Sequence, residues 1–319
     1  MHILFVIDPL PGLSAWKDTS VSMMQALVDR GHTLAVCEQG DLFIDNGEVR
    51  TSARNISLVP GADLHDQHWW TWQSEPYDQP LAGFGAVLMR KDPPFDMEYF
   101  YATHLFDHAV TQGAKVFNSG NAMRSHPEKL AITEFSQFTA PTLVSGSMPR
   151  LRDFHALHGD IVVKPLDGMG GAGVFRITRH DTNLRSILET LTDNGSTTIM
   201  AQRYIPDITQ GDKRILIING KPIPYSLARI PLAGEARGNL AAGGRGVAQP
   251  LTDHDWKIAN TLGPVLAKRG LLLVGLDVIG DHLTEVNVTS PTCFVEITEQ
   301  TEVNVAQEFA KALEFLVEA

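Results

Sequence analysis

The residues best suited to chemistry lie in the stretch LLLVGLDVIGDHLTEVNVTSPT, residues 271–292. Gly280, Asp281 and His282 supply a three-residue hairpin loop between two strand-like runs. That loop sets Asp277 opposite Glu285, with Asn287 two residues further along the same face. The other face carries Leu272, Val274, Leu276, Val278, Val286 and Val288, and belongs to a core. The two carboxylates therefore share the functional face, about 5 Å apart. At an effective dielectric near 20, like charges at that spacing repel by about 3 kcal/mol. A hard divalent cation such as Mg²⁺ relieves this, because it takes carboxylate and amide oxygens and shares substrate phosphates. The alternatives are a solvated edge with both acids pointing to water, or a slipped register.

A second stretch, KPLDGMGGAGVF (164–175), holds four glycines between two apolar runs. Gly168, Gly170 and Gly173 match G-x-G-x-x-G, but that fingerprint must open a helix, and the VFRITR that follows is strand-like. A Walker A loop is excluded, since G-K-[ST] occurs nowhere in the chain. A glycine-rich loop between antiparallel strands fits better. It can fold over the phosphates of a nucleotide and offer backbone N–H groups, with Lys164 adding a point charge. A plain glycine-bearing hairpin is the alternative.

Between these stretches lies GDKRILIINGKPIPYSLARIP (211–231). With Asn219-Gly220 as the turn, Arg214 is expected opposite Tyr225, and Arg229 on the same face. Two arginines on one face suit carboxylate or phosphate oxygens; plain solvent exposure is the alternative. The segment 231–247, PLAGEARGNLAAGGRGV, has little apolar bulk and many glycines. It reads either as disorder or as a lid, with Arg237, Asn239 and Arg245 as polar handles.

These residues need elements to position them. In the first third, strands at Ile3–Ile7, Thr33–Cys37, Ala86–Met89 and Lys115–Phe117 alternate with helices at Ser20–Arg30 and Glu98–Gln112. Asn46-Gly47 marks a hairpin. Such alternation predicts a parallel sheet covered on both faces, with ligands beyond the carboxyl ends of its strands. Asp8 and Arg90 sit at two such ends, although RKDPPFD also reads as a proline-stiffened loop. In HDQHWWTW (65–72), two histidines without a third ligand are too few for a metal. A surface loop capped by Trp69, Trp70 and Trp72, as at a subunit contact, is the better reading. From residue 123 the spacing predicts helices over 126–135, 151–158, 184–192, 253–269 and 303–317, with a strand at 198–202 and two hairpins.

At 319 residues, 43% apolar, two or three domains with a large core are expected. A net charge of −11 argues against general nucleic-acid binding and against an anionic membrane surface. Cys37 and Cys293 are too few for a disulfide framework and suit a reducing compartment. The start MHILFVIDPL lacks the basic region and cleavage site of a signal peptide, and no run approaches the roughly 18 apolar residues of a membrane span. A soluble, cytoplasmic protein is expected.

Taken together, MRKDPPFD (89–96), VKPLDGMGG (163–171), GDKRILI (211–217), LARIPLAGEARGNLAAGGRG (227–246) and VGLDVIGDHLTEVNVTSPT (274–292) resemble the bacterial-type glutathione synthetases of the ATP-grasp superfamily. The resemblance spans essentially the whole chain. It implies an α/β protein: an N-terminal parallel α/β domain (1–122) followed by a two-part ATP-grasp fold with antiparallel sheets (123–202 and 203–319). It implies ATP as co-substrate, two Mg²⁺ ions that Mn²⁺ can replace, and a homotetramer. Lys129 and Lys164 correspond to phosphate-contacting lysines, beside Gly168, Gly170 and Gly171. Gln202, Arg203, Tyr204 and Ile205 correspond to the hinge against adenine, and Asp212 to a ribose contact. Asp277, Glu285 and Asn287 match the metal ligands. Arg214, Arg229, Arg237, Lys17, Arg90, Ser290 and Thr292 fall where the family handles the dipeptide and an acyl phosphate. The implied reaction joins γ-glutamylcysteine to glycine, turning ATP into ADP and phosphate. Cys293 reads as a packed residue. The rivals are another ATP-grasp carboxylate–amine ligase, of the D-alanine–D-alanine or glutamate-adding kind, and a non-catalytic ATP-binding protein of the same fold.

Overall fold

The structure, a computed structural model, describes residues 1–168, 170–232 and 244–318. Arg237, Asn239 and the middle of the 231–247 segment lie outside the described residues.

The N-terminal sheet contains β1 (His2–Val6), β2 (Thr33–Cys37), β3 (Leu42–Asp45), β4 (Glu48–Leu58), β5 (Trp70–Trp72), β6 (Tyr77–Pro80), β7 (Ala86–Met89) and β8 (Val116–Phe117). Its centre is parallel, as expected: β1 lies between β2 and β7, and β7 pairs β8. β3 to β6 add an antiparallel margin around β4, and only the Asn46-Gly47 hairpin announced it in sequence. Two helices flank this sheet, α1 (Thr19–Asp29) and α2 (Met97–Thr111). Each starts at an aspartate whose carboxylate accepts from the free N–H groups of the first turn: Asp18 from Ser20 and Val21, Asp96 from Tyr99. The tryptophan segment differs from the expected surface loop. Trp69 is buried, and Trp70–Trp72 form a strand against β4, because alternating aromatics suit a half-buried strand.

A short helix, α3 (Gly120–Ser125), then leads to a 3-10 stretch, Leu130–Phe138. One helix over 126–135 was expected; it is broken at His126, where Pro127 forbids the preceding residue a helical backbone. The second sheet is antiparallel, with β9 (Thr142–Ser145), β10 (Ile161–Pro165), β11 (Phe175–Ile177) and β12 (Ile199–Arg203) in the order β11-β10-β12-β9. Helices α4 (Met148–His158) and α5 (Leu184–Leu191) cover it, burying Leu151 and Leu188 against Ile161, Val163 and Ile199.

The third sheet is also antiparallel: β13 (Asp212–Ile218), β14 (Lys221–Ile230), β15 (Arg245–Pro250), β16 (Leu273–Ile279) and β17 (His282–Asn287), ordered β15-β14-β13-β16-β17. On it lies α6 (Asp253–Lys268), followed by α7 (Phe294–Gln300) and α8 (Val305–Glu318). The sequence reading missed α7, whose FVEITEQ is rich in strand-forming residues. Among the described residues, no helix is long and apolar enough to cross a membrane.

Two registers differ in detail from expectation while keeping the predicted faces. Arg214 pairs Leu227 instead of Tyr225, because β14 carries two extra residues between Pro222 and Ser226. Two prolines there, Pro222 and Pro224, lack the N–H that a regular ladder needs. An even shift preserves sidedness, so Arg214, Arg229 and Asp212 share one face. In the β16–β17 hairpin the turn is Gly280-Asp281, and a bulge at Thr284 restores Asp277 opposite Glu285.

Candidate active site

A cleft of about 580 Å³ is lined by elements from all three sheets. The carboxyl ends of β1 and β7 supply Asp8 and Arg90, the β10–β11 loop supplies Gly168, Gly170 and Gly171, and β13, β14, β16 and β17 supply the charged face. Lys17, Lys129, Lys164, Gln202 to Ile205, Asp212, Arg214, Arg229, Asp277, Glu285, Asn287, Ser290 and Thr292 all line it as well. The structure thus brings together every site residue expected from sequence that lies among the described residues.

The glycine loop joins antiparallel strands, and Gly170, Gly171 and Gly173 all have φ between 64° and 79°. A side chain is strained there, so the glycines are needed for the backbone path itself. Beneath the loop sit two buried lysines. Lys129 donates to the carbonyl of Gly168, and Lys164 reaches the carbonyl of Thr284 at 3.4 Å. Both ammonium groups face Glu285, at 3.6 and 3.9 Å. Burial pushes the Lys164 pKa down, with Glu285 opposing.

The carboxylate face is not left to a metal. Arg214 grips Asp277 through Nε at 2.5 Å and Nη2 at 3.0 Å, and Arg229 Nη2 adds a contact at 2.8 Å. The arginines expected to be free for substrate are therefore counter-ions of the strand pair itself. Burial works to raise the Asp277 pKa, yet the two guanidiniums outweigh it and hold the carboxyl below its usual range. Asp212, gripped by Arg229 Nη2 at 2.5 Å, is pushed up to about 6 by burial, with Arg229 opposing and Asp277 and Glu285 adding. The described contacts of both arginines use Nε and Nη2 and leave each Nη1 for incoming oxygens.

A divalent cation nonetheless fits. The Glu285 side chain is 25% exposed and has only long ionic contacts, and Asn287 donates its amide N–H to Gly275, leaving Oδ1 as an acceptor. The buried Oδ1 of Asp212 has no partner among the described residues. No group of three or more His, Cys, Asp or Glu among the described residues makes a complete cage. Carboxylate and amide oxygens of this kind suit a hard divalent cation whose shell is completed by water and substrate phosphates.

At one end of the cleft, Val162, Val174, Ile208 and Ile279 form apolar walls near Gln202 and Tyr204. Gln202 donates to Thr142 at 3.0 Å, and the Arg176 guanidinium lies 3.7 Å from the Tyr204 ring centroid. At the other end, Arg90 donates to Ser20 Oγ and to the Pro291 carbonyl, and so ties the N-terminal sheet to the 290–292 loop. Ser290 donates back to the Arg90 carbonyl at 3.3 Å, while Lys17 and Thr292 stand exposed at the rim. Cys293 is buried, and burial raises its thiol pKa, which suits packing and not nucleophilic attack.

Four lining carboxylates were not singled out in sequence, Asp18, Asp92, Glu128 and Glu296. Glu128 directly precedes Lys129, and that adjacency was its only signal. Glu296 lies on the unforeseen α7, with its buried Oε2 unpartnered among the described residues.

The chain matches the model of the prokaryotic glutathione synthetase N-terminal domain over residues 1–124 and of the prokaryotic glutathione synthetase ATP-grasp domain over 128–302. It is 68% identical to a glutathione synthetase of Bordetella parapertussis over 98% of this chain and 99% of that one. A glutathione synthetase of Ralstonia nicotianae is 56% identical, over 98% and 95% of the two chains. Among solved structures, D-cycloserine synthetase DcsG superposes with a TM-score of 0.68 at 17% identity, covering 99% of each chain. The ATP-grasp ligase PsnB gives 0.63 at 17% identity, over 100% of this chain and 98% of its own. These two likenesses concern the fold.

Proposed function

The chain belongs to the prokaryotic glutathione synthetase family and is an ATP-dependent ligase, and we propose that this cleft joins γ-glutamylcysteine to glycine through an acyl phosphate. The observation that carries the reading is the convergence of Lys129, Lys164, Arg214 and Arg229 on one cleft beneath a glycine loop. The first step sets a carboxylate against the γ-phosphate of ATP, and two anions meet only where cations cancel their charge. Lys129 and Lys164 take phosphate oxygens, and the glycine loop offers backbone N–H groups over them. The Nη1 donors of Arg214 and Arg229 take the oxygens of the acyl phosphate. Gln202 to Ile205 hold the adenine, and Asp212 lies on the ribose side. Lys17, Arg90, Ser290 and Thr292 hold the dipeptide. Mg²⁺, or Mn²⁺ in its place, held by Asp277, Glu285 and Asn287, supplies further positive charge to the phosphates. The amine of glycine then attacks the activated carbonyl and phosphate departs, with cleft walls that limit the access of water to the acyl phosphate. The same proposal takes the three sheets as three units near 1–122, 123–202 and 203–319, and the working enzyme as a cytoplasmic homotetramer.

Phosphate release from ATP and Mg²⁺ tests this, with γ-glutamylcysteine and glycine supplied singly and together. Release that needs both, with glutathione formed, supports it. Release only with D-alanine or glutamate pairs would keep the ligase and discard the substrates.

A further inference from the structure

Glu128 is one of several acids of the cleft that the mechanism above leaves without a task. It lies between α3 and the 130–138 stretch, immediately before Lys129. Its backbone carbonyl accepts from the Val286 N–H at 2.9 Å, and its Oε1 accepts from Thr289 Oγ1 at 2.9 Å. These bonds pin it to β17 and the loop beyond, beside the strand that carries Glu285 and Asn287. Asp212, Asp277 and Glu285 each have a protein cation within 4.0 Å. Among the described residues Glu128 has none, and the side-chain partner it does have is a neutral hydroxyl. Burial first and then the charge of Glu285 raise its pKa, with Thr289, Lys129 and Arg214 opposing, so the carboxylate is held in a dry place without a direct counter-ion among the described residues. Such a place favours an incoming cation.

The reaction brings one, because the amine substrate enters as an ammonium ion. We propose that Glu128 holds the ammonium group of the amine substrate beside the acyl phosphate and so selects a substrate that arrives as a cation; the ammonium gives up a proton, taken by the departing phosphate, before its nitrogen attacks. This rests on the ligase reading above. Arg214 contributes to the field at Glu128 but does not contact it among the described residues, so the carboxylate stays open to the ligand.

The test uses the full chain and two nucleophiles, with ATP, Mg²⁺ and γ-glutamylcysteine present. Glycine needs the carboxylate; hydroxylamine is neutral near pH 7 and traps the acyl phosphate as a hydroxamate without it. In Glu128→Gln, kcat/KM for glycine should fall by about 30-fold through KM, the effect of losing a charge-assisted hydrogen bond. Hydroxamate formation and the KM for ATP and γ-glutamylcysteine should stay within about 2-fold of wild type. Equal losses with both nucleophiles, or a raised Mg²⁺ requirement, would make Glu128 a structural or metal-binding residue and overturn the proposal. Unchanged glycine kinetics would overturn it as well. A wild-type chain that makes neither product would instead strike the ligase reading on which it rests.

Discussion

Asp277 and Glu285 face each other across one hairpin, yet the structure gives them different work, and exchanging each for its amide separates the two. Asp277 is buried and serves as common counter-ion to two buried guanidiniums. At an effective dielectric near 20, a contact of that length is worth about 6 kcal/mol before desolvation is subtracted. Asp277→Asn keeps the shape but leaves Arg214 and Arg229 sharing one neutral oxygen, and turns an N–H toward a donor. Breaking a buried pair in this way costs about 4 kcal/mol. Unfolding entropy near 2.1 cal/mol/K per residue over 319 residues converts that to a fall in Tm of about 6 °C. Glu285 makes only contacts of 3.6 and 3.9 Å from a partly open side chain, so Glu285→Gln should cost less than about 1 kcal/mol, a shift of about 1 °C. Its Mg²⁺-dependent turnover should nevertheless fall by about 100-fold or more, since a charge-neutralising group at the phosphates is lost. Differential scanning calorimetry beside phosphate release reads both quantities. If Glu285→Gln melts as early as Asp277→Asn, or keeps normal turnover, the division of labour is wrong.

Three further outcomes follow from single sites. Lys164→Met removes a buried ammonium beneath the glycine loop, and kcat for phosphate release should fall by about 100-fold with little change in Tm; a fall below 3-fold would remove it from the phosphate site. Gly173→Ala places a Cβ at φ 70° and 2.8 Å from Pro165 Cγ, so the loop must shift, and KM for ATP should rise by about 10-fold in steady-state assays while KM for the dipeptide holds. Far from the cleft, Glu314 on α8 accepts from Arg30 Nη2 at 2.5 Å and from His32 at 2.8 Å, and the Arg30 bond draws its pKa down from 4.5 to about 2. The folded state then binds fewer protons than the unfolded chain, so the pair stabilises fully above pH 4.5 and ceases to do so as pH falls toward 2. Glu314→Gln should therefore lower stability by about 1 kcal/mol at pH 7, after screening, with the gap closing through that window in denaturant titrations.

Sidedness was the most legible property of the chain. Asp277 opposite Glu285, and Arg214 on the side of Arg229, were read from turn position and alternation, and both survived irregular registers: the bulge at Thr284 offsets a turn one residue shorter than expected, and the two-residue shift in β14 preserves parity. The parallel centre of the first sheet and the strand context of the glycine loop were legible for the same reason: period and turn residues are local signals. What local signals cannot carry is the partner of a charge. Nothing in the spacing of Arg214 reveals that it closes on Asp277 across β13–β16, since that contact is set by strand order. Glu128 was invisible for a related reason, as its position depends on a bond to Val286 some 158 residues away. Helix α7 was lost to its β-branched composition, which tertiary packing overrides by burying Phe294 and Ile297.

The pairing of charges also changes why a metal is needed. The sequence reading asked a cation to separate two carboxylates, but the protein already does so. Among the described residues, eight carboxylates line the cleft (Asp8, Asp18, Asp92, Glu128, Asp212, Asp277, Glu285 and Glu296). Eight cationic side chains oppose them (Lys17, Arg90, Lys129, Lys164, Arg176, Arg203, Arg214 and Arg229). The formal sum is zero in a chain of net charge −11, so the cleft is a neutral island on an acidic protein. Neutrality holds the ligand-free fold together, because buried charge of one sign would repel itself apart. It also means that the lysines and arginines are already matched when anionic substrates arrive. ATP brings about four negative charges and γ-glutamylcysteine about one more, and an already balanced cleft has no surplus to cancel them. Divalent cations of the kind proposed above would close much of that gap, each bringing about +2. Dependence on metal then follows from the substrates and not from the strand pair, and it should be carried by the open Glu285 and Asn287 more than by the fully engaged Asp277.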